Sequence, residues 1–332
     1  METSLLKIIL PLLPIFRPEQ HLSGYVNETI DELLELSNNV EIELKKLGAF
    51  PLSIKLLNDF ELTQKKRFLQ EKKALVFEIT IPHSNKIIDS LWGSGEETSE
   101  NEKDKYLEEI SYEFQDQVFQ FIVLSQIAKP GTIKSRRGDV CLNERVLRSF
   151  YSTISIHRES LDDVKSLKWP NYMNLKIIDV WNWFNENDFS SQRFSKSKTE
   201  IALNAFSKLF GSDLSNISID LIWSLIGIEA LYCSGKEGLS EQIFKKTQVF
   251  LGEILDFKKR LKQMYDFRSR LIHGDLNIPP NHYYDDGDEE NVKFEEDLYG
   301  STILAVAVLT ATLQKMVHEK RNCLNFKYVI EK

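Results

Sequence analysis

The chain has 332 residues, 42% of them hydrophobic and 28% charged, with a formal net charge of −8 at pH 7. That balance excludes collagen-like, coiled-coil and wholly disordered chains, and the length fits two domains. An acidic chain of this kind does not coat nucleic acid non-specifically, because that takes a positive field; a local basic patch stays open.

The N-terminal run Ser4–Phe16 is apolar, but Lys7, Pro11 and Pro14 interrupt it and Glu2 stands where a secretion signal carries basic residues. It is too short to cross a bilayer, and so is the apolar stretch Ile303–Leu313, which has the length of a core helix. A cytoplasmic protein with no membrane partner is expected. Three cysteines, Cys141, Cys233 and Cys323, stand far apart without a CxxC pair, so neither a disulfide framework nor a zinc knuckle is expected.

Residues 27–47 repeat apolar positions at spacings of three and four and predict a helix. Ala74–Ile81 is a β-branched, apolar run stopped by Pro82 and predicts a strand. Residues 93–104 are polar and acidic and predict a loop; 105–128 return to helical periodicity and stop at Lys129-Pro130-Gly131. Thr132–Leu142, with Arg136-Arg137-Gly138 at its centre, predicts a hairpin, with Lys134, Arg136 and Arg137 at an exposed tip; Val146–Ile156 predicts a further strand. The aromatic segment Trp169–Phe184, with Trp181 and Trp183, predicts packing rather than a base-stacking platform. The Ser-rich stretch 187–198 marks a boundary, giving a mixed domain over 1–190 and a helical domain over 191–332. Helical patterns follow at about 198–210, 216–233, 240–273 and 299–320, with no strand among them. The fold class expected is α+β, a mixed region followed by an all-α bundle.

Two charges sit where that bundle should be apolar. On a wheel of about 100° per residue, Leu261, Met264, Tyr265, Leu271 and Ile272 share a face, and Arg268 lies within it. Glu229 lies at the centre of the face formed by Ile222, Leu225, Ile226, Tyr232 and Cys233. Buried charges are expensive unless paired. Glu229 and Arg268 therefore read either as an internal strut or as an arginine lining a polar cleft with the glutamate orienting it; the two are compatible. His273 precedes Gly274, a residue suited to a helix C-cap, and histidine is the side chain that commonly transfers protons near neutral pH. Five residues turn it by roughly 140° from Arg268, so one helix does not place both on one face. A frayed last turn, the long arginine side chain or a second copy of the chain could bring them together.

The string Tyr265-Asp-Phe-Arg268-Ser269-Arg-Leu-Ile-His273-Gly274-Asp275 resembles the signature of the HEPN superfamily (higher eukaryote and prokaryote nucleotide-binding domains), closest to its ApeA-like branch. There an upstream Asp-Leu-Ile … Glu-Ala-Leu helix precedes the Arg-Ser … His-Gly helix; Asp220-Leu221-Ile222 and Glu229-Ala230-Leu231 stand in that place here. The resemblance covers roughly residues 195–320. It implies a helical bundle that forms a homodimer in which two Arg–His pairs face each other, and metal-independent RNA cleavage without a cofactor. His273 would be the general acid or base, Arg268 the phosphate clamp, with Ser269 and Glu229 in support. It also implies a toxin or antiphage effector whose N-terminal domain, residues 1–190, senses a trigger or meets a regulatory partner. The same likeness admits a catalytically silent RNA- or nucleotide-binding scaffold.

Lys258, Lys259, Lys262 and Arg270, with Arg260, lie on or beside the motif helix and form a candidate RNA-binding patch; a plain solvated face is the alternative. The acidic run Asp285–Glu290 lacks the spacing of an EF-hand and reads as a loop. No P-loop, GxGxxG, GxSxG or HExxH motif is present.

Overall fold

The computed structural model describes residues 3–13, 20–45, 47–58, 73–82, 100–154, 169–189, 194–210, 217–235, 238–253, 258–279 and 288–326. The chain is α+β and forms two compact units, one of Met1–Gln126 with Thr132–Ile154, the other of Ile127–Gly131 with Ser155–Lys332. The division at 154/155 lies upstream of the Ser-rich stretch and leaves the aromatic segment with the helices. Trp183 accounts for that: its Nε1 donates to the carbonyl of Arg321 at 2.8 Å, at the far end of the helical unit.

The first unit is an antiparallel sheet in the order β4-β5-β1-β6-β7. Its strands are β1 (Thr3–Pro11), β4 (Ser53–Asn58), β5 (Lys73–Pro82), β6 (Ser135–Leu142) and β7 (Arg145–Ile154). The apolar N-terminal run is thus the central strand, with Leu6, Ile8 and Leu10 each 1% exposed, alternating with less buried neighbours. That alternation is the period of a pleated strand with one face on a core. Helix α2 (Glu100–Ala128) buries Phe114, Val118, Phe121 and Ile122 along one stripe, and Phe121 meets Phe77 of β5 edge-on at 6.4 Å.

Three expectations for this unit need correction. The helix read over 27–47 is α1 (Gln20–Glu35) followed by a hairpin of β2 (Glu41–Leu44) and β3 (Gly48–Pro51). The chain breaks at Asn38, whose φ is +65°, and Asn39 closes the helix by donating from Nδ2 to the Glu35 carbonyl. Helical and alternating patterns both fit so short an apolar series, and the asparagines decide between them. The predicted Arg136-Arg137-Gly138 hairpin tip is the middle of β6. The turn falls at Asn143-Glu144, where Asn143 has φ +53° and exchanges two hydrogen bonds with the backbone of Leu5 at 2.7 and 2.8 Å. Gly138 serves packing instead, since a Cβ there would lie 2.4 Å from the Phe150 ring of the paired strand. Of the polar stretch 93–104, residues 100–104 begin α2, and 93–99 lie outside the described residues.

The second unit contains α3 (Ile177–Glu186), α4 (Lys198–Ser207), α5 (Ile217–Tyr232), α6 (Leu239–Leu251), α7 (Lys258–His273) and α8 (Glu289–His318), and no strand among its described residues. Trp169, Trp181, Trp183 and Phe184 are buried in it. Helix α8 is its axis: every residue from Ile303 to Leu313 is at most 4% exposed. A helix apolar on all sides has to be buried on all sides. It is long and apolar enough to cross a membrane by length and composition, yet 89% of its most apolar 18-residue stretch is buried inside the fold. Its threonines stay satisfied, Thr310 and Thr312 donating to carbonyls one turn back, and Thr312 also meeting the Tyr232 hydroxyl at 2.8 Å. Gly227 lets α5 close on α8, because a Cβ there would stand 2.9 Å from both methyl groups of Leu309. The pattern read as one helix over 240–273 is two, parted at Gly252 with φ +100°.

Candidate functional site

Helix α5 buries Leu221, Leu225, Ile228, Leu231 and Tyr232; Ile222, Ile226 and Glu229 follow at spacings of four and three as a half-buried stripe beside them. Glu229 therefore sits at the margin of the apolar face, not at its centre. Helix α7 buries Leu261, Met264 and Phe267, the last with its ring 5.6 Å from Phe294 of α8. Phe267 takes the place expected of Ile272, which is 46% exposed. The face is rotated toward Phe267, and Arg268 and Tyr265 come to lie along its edge.

That edge meets the stripe on α5. Arg268 Nη2 stands 3.4 Å from Glu229 Oε1, with the two side chains 18% and 21% exposed. Tyr265, one turn before Arg268 on the same face, donates its hydroxyl to the same oxygen at 3.2 Å. A single carboxylate oxygen thus joins a guanidinium and a phenol. Burial first, then the Glu229 charge and the hydrogen bond to it, pushes the Tyr265 hydroxyl up to about 12, so it remains a donor at physiological pH. Cys233, at the end of α5, is pushed up to about 11, chiefly by burial and next by Glu229, and stays a thiol. Among the described residues Glu229 is the one acceptor that meets Arg268, and its Nε is buried with no hydrogen-bond partner. The guanidinium is held at one point of its fork.

His273 ends α7. Gly274 follows with φ +76°, and the amide of Asp275 donates to the Arg270 carbonyl at 2.8 Å, closing the helix in a Schellman turn. His273 is exposed and, among the described residues, its side chain makes no hydrogen bond or ion pair. The structure therefore gathers Glu229, Tyr265 and Arg268 and leaves His273 at the exposed helix end. Ser269 is half-buried. Lys259, Lys262 and Arg270 are exposed on α7, and the Lys258 side chain lies outside the described residues. Of the acidic run, 285–287 lie outside them too, while Asp288 caps α8, accepting from the Glu290 amide at 2.9 Å. Among the described residues no group of three or more His, Cys, Asp or Glu side chains could hold a metal ion.

Tyr265 is the member of the cluster that the periodicity hides. The wheel places it on the apolar face, where its ring does belong. Its spacing of three from Arg268 is the signal in the sequence that its hydroxyl can share that arginine's partner.

No family model, curated protein or solved structure matches the chain.

Proposed function

We propose that the chain is a metal-independent endoribonuclease of the HEPN type, working as a homodimer. The observation that carries this reading is the state of Arg268: half-buried, anchored at one point of its fork by Glu229, on the helix that ends in the exposed His273. An arginine so placed can present its planar fork to a phosphate. The ribose 2′-hydroxyl attacks the adjacent phosphorus, forming the 2′-O–P bond as the P–O5′ bond breaks. His273 takes the proton from the 2′-hydroxyl or delivers one to the departing 5′-oxygen, and two copies supply one imidazole for each task. Arg268 stabilises the charge gathering on the phosphate oxygens. The products are a 2′,3′-cyclic phosphate and a 5′-hydroxyl, and DNA, lacking the 2′-hydroxyl, resists. Lys259, Lys262 and Arg270 hold the flanking backbone. In the cell such an activity suits a cytoplasmic toxin or antiphage effector, with the first unit as its sensor or the seat of a regulatory partner.

The test is cleavage of an RNA panel in EDTA, with the product ends analysed. Cyclic phosphate ends, reduced at least about a hundredfold in His273→Ala and Arg268→Ala, support the reading. Undiminished cleavage by His273→Ala overturns it. The turn of roughly 140° between positions 268 and 273 favours a second reading, a silent module that binds RNA or nucleotides. That reading predicts RNA retention without cleavage at any protein concentration.

A further inference from the structure

We propose that Tyr265 is a positioning residue for Arg268, acting through the carboxylate of Glu229 to keep the guanidinium open to phosphate; this rests on the endoribonuclease reading above. The geometry is specific. Arg268 and Tyr265 converge from one helix onto one oxygen, Glu229 Oε1, at 3.4 and 3.2 Å. A carboxylate facing an arginine frequently closes into a two-point fork, the same geometry a phosphate uses. Here the phenol holds the shared oxygen and leaves a long, one-point ion pair. The guanidinium centre lies 5.8 Å from the centre of the Tyr265 ring, whose hydroxyl is bonded to Glu229. Arg268 Nε is buried without an acceptor, so nothing else among the described residues fixes the fork.

The arrangement matters most when RNA arrives. Phosphate and Glu229 compete for the same cation. The Tyr265 hydrogen bond stabilises the carboxylate while the guanidinium turns to the phosphate, and without it Glu229 draws the arginine back. Tyr265→Phe keeps the ring and its packing and removes only this bond. Glu229→Gln keeps an acceptor oxygen and removes the charge that competes.

The experiment uses the full chain and 2′-O-methyl RNA, which binds and does not react. Tyr265→Phe is expected to weaken that RNA by about tenfold, the worth of a hydrogen bond to a charged group. Its thermal midpoint should stay within a few degrees of the parent. Adding Tyr265→Phe to Glu229→Gln should cost less than twofold, because the two act along one line. The Arg268 Nε–H resonance, recorded without RNA, should show altered side-chain order in Tyr265→Phe. Unchanged RNA affinity together with an unchanged Arg268 resonance, or full additivity of the two substitutions, would overturn the proposal. If the parent binds RNA and never cuts it, the nuclease reading fails while the arginine resonance still decides the role of Tyr265.

Discussion

Arg148 in the first unit and Arg268 in the second are both half-buried, and they are partnered in opposite ways. Arg148 gives Nε and Nη2 to Gln115 Oε1 at 3.0 and 2.7 Å, and Nη1 and Nη2 to the hydroxyl and carbonyl of Ser111, with its guanidinium 3.6 Å from the Tyr112 ring. Every side of its fork meets a partner on α2. Burial lowers its proton affinity, and Tyr112, Glu108 and Asp116 act against that loss. Arg268 has one carboxylate at 3.4 Å and an idle, buried Nε. An arginine whose donors are all committed is a strut between a helix and a sheet. One left with an unpartnered, buried donor carries part of its desolvation cost uncompensated.

The widest break between the two comes from alanine. Arg268→Ala should cut RNA cleavage by about 10²–10³-fold while costing about 1 kcal/mol of stability, because the pair it leaves is partly solvated. Arg148→Ala should do the reverse, costing about 2–3 kcal/mol in urea unfolding and sparing cleavage by the folded fraction. Gly227→Val, which forces a side chain against Leu309, should cost about 1–3 kcal/mol and lower cleavage only by unfolding molecules. Lys259→Ala and Lys262→Ala should each weaken RNA binding a few-fold and reduce the slope of log K against log salt by about 0.7, measured by titration at several salt concentrations. The smallest effect is alkaline. Tyr265 holds its proton to about 12 in the folded chain, against 10.0 as the ordinary value. Between those limits the folded state binds a proton that the unfolded state has released, so stability falls as pH rises through the window. Urea midpoints at pH 9 and 11 should converge more closely in Tyr265→Phe than in the parent.

The elements legible in the sequence are those where one physical demand dominates. Strand β5 and the core of α8 are long apolar runs, and Gly274 closes α7 as its place after His273 implies. The pairing of Glu229 with Arg268 follows from the cost of leaving either alone. What escaped are positions where two demands compete. Residues 36–44 carry spacings that suit helix and strand alike, and Asn38 settles them by adopting a left-handed backbone. Gly138 looks like a turn and is a glycine under the Phe150 ring. Ile272 fits the wheel but lies in the final turn, where the helix has left its partners and Phe267 has taken the buried place. Tyr265 is both apolar and polar, and only the position of α5 shows which half matters.

Arg268→Lys separates the charge of this residue from its shape. Lysine keeps the charge that Glu229 needs and loses the planar fork that a phosphate needs. The variant's unfolding stability should lie within about 1 kcal/mol of the parent, with at least about a tenfold loss of RNA cleavage. Cleavage equal to the parent, or a loss that merely tracks the unfolded fraction, would contradict the role of Arg268 as phosphate clamp.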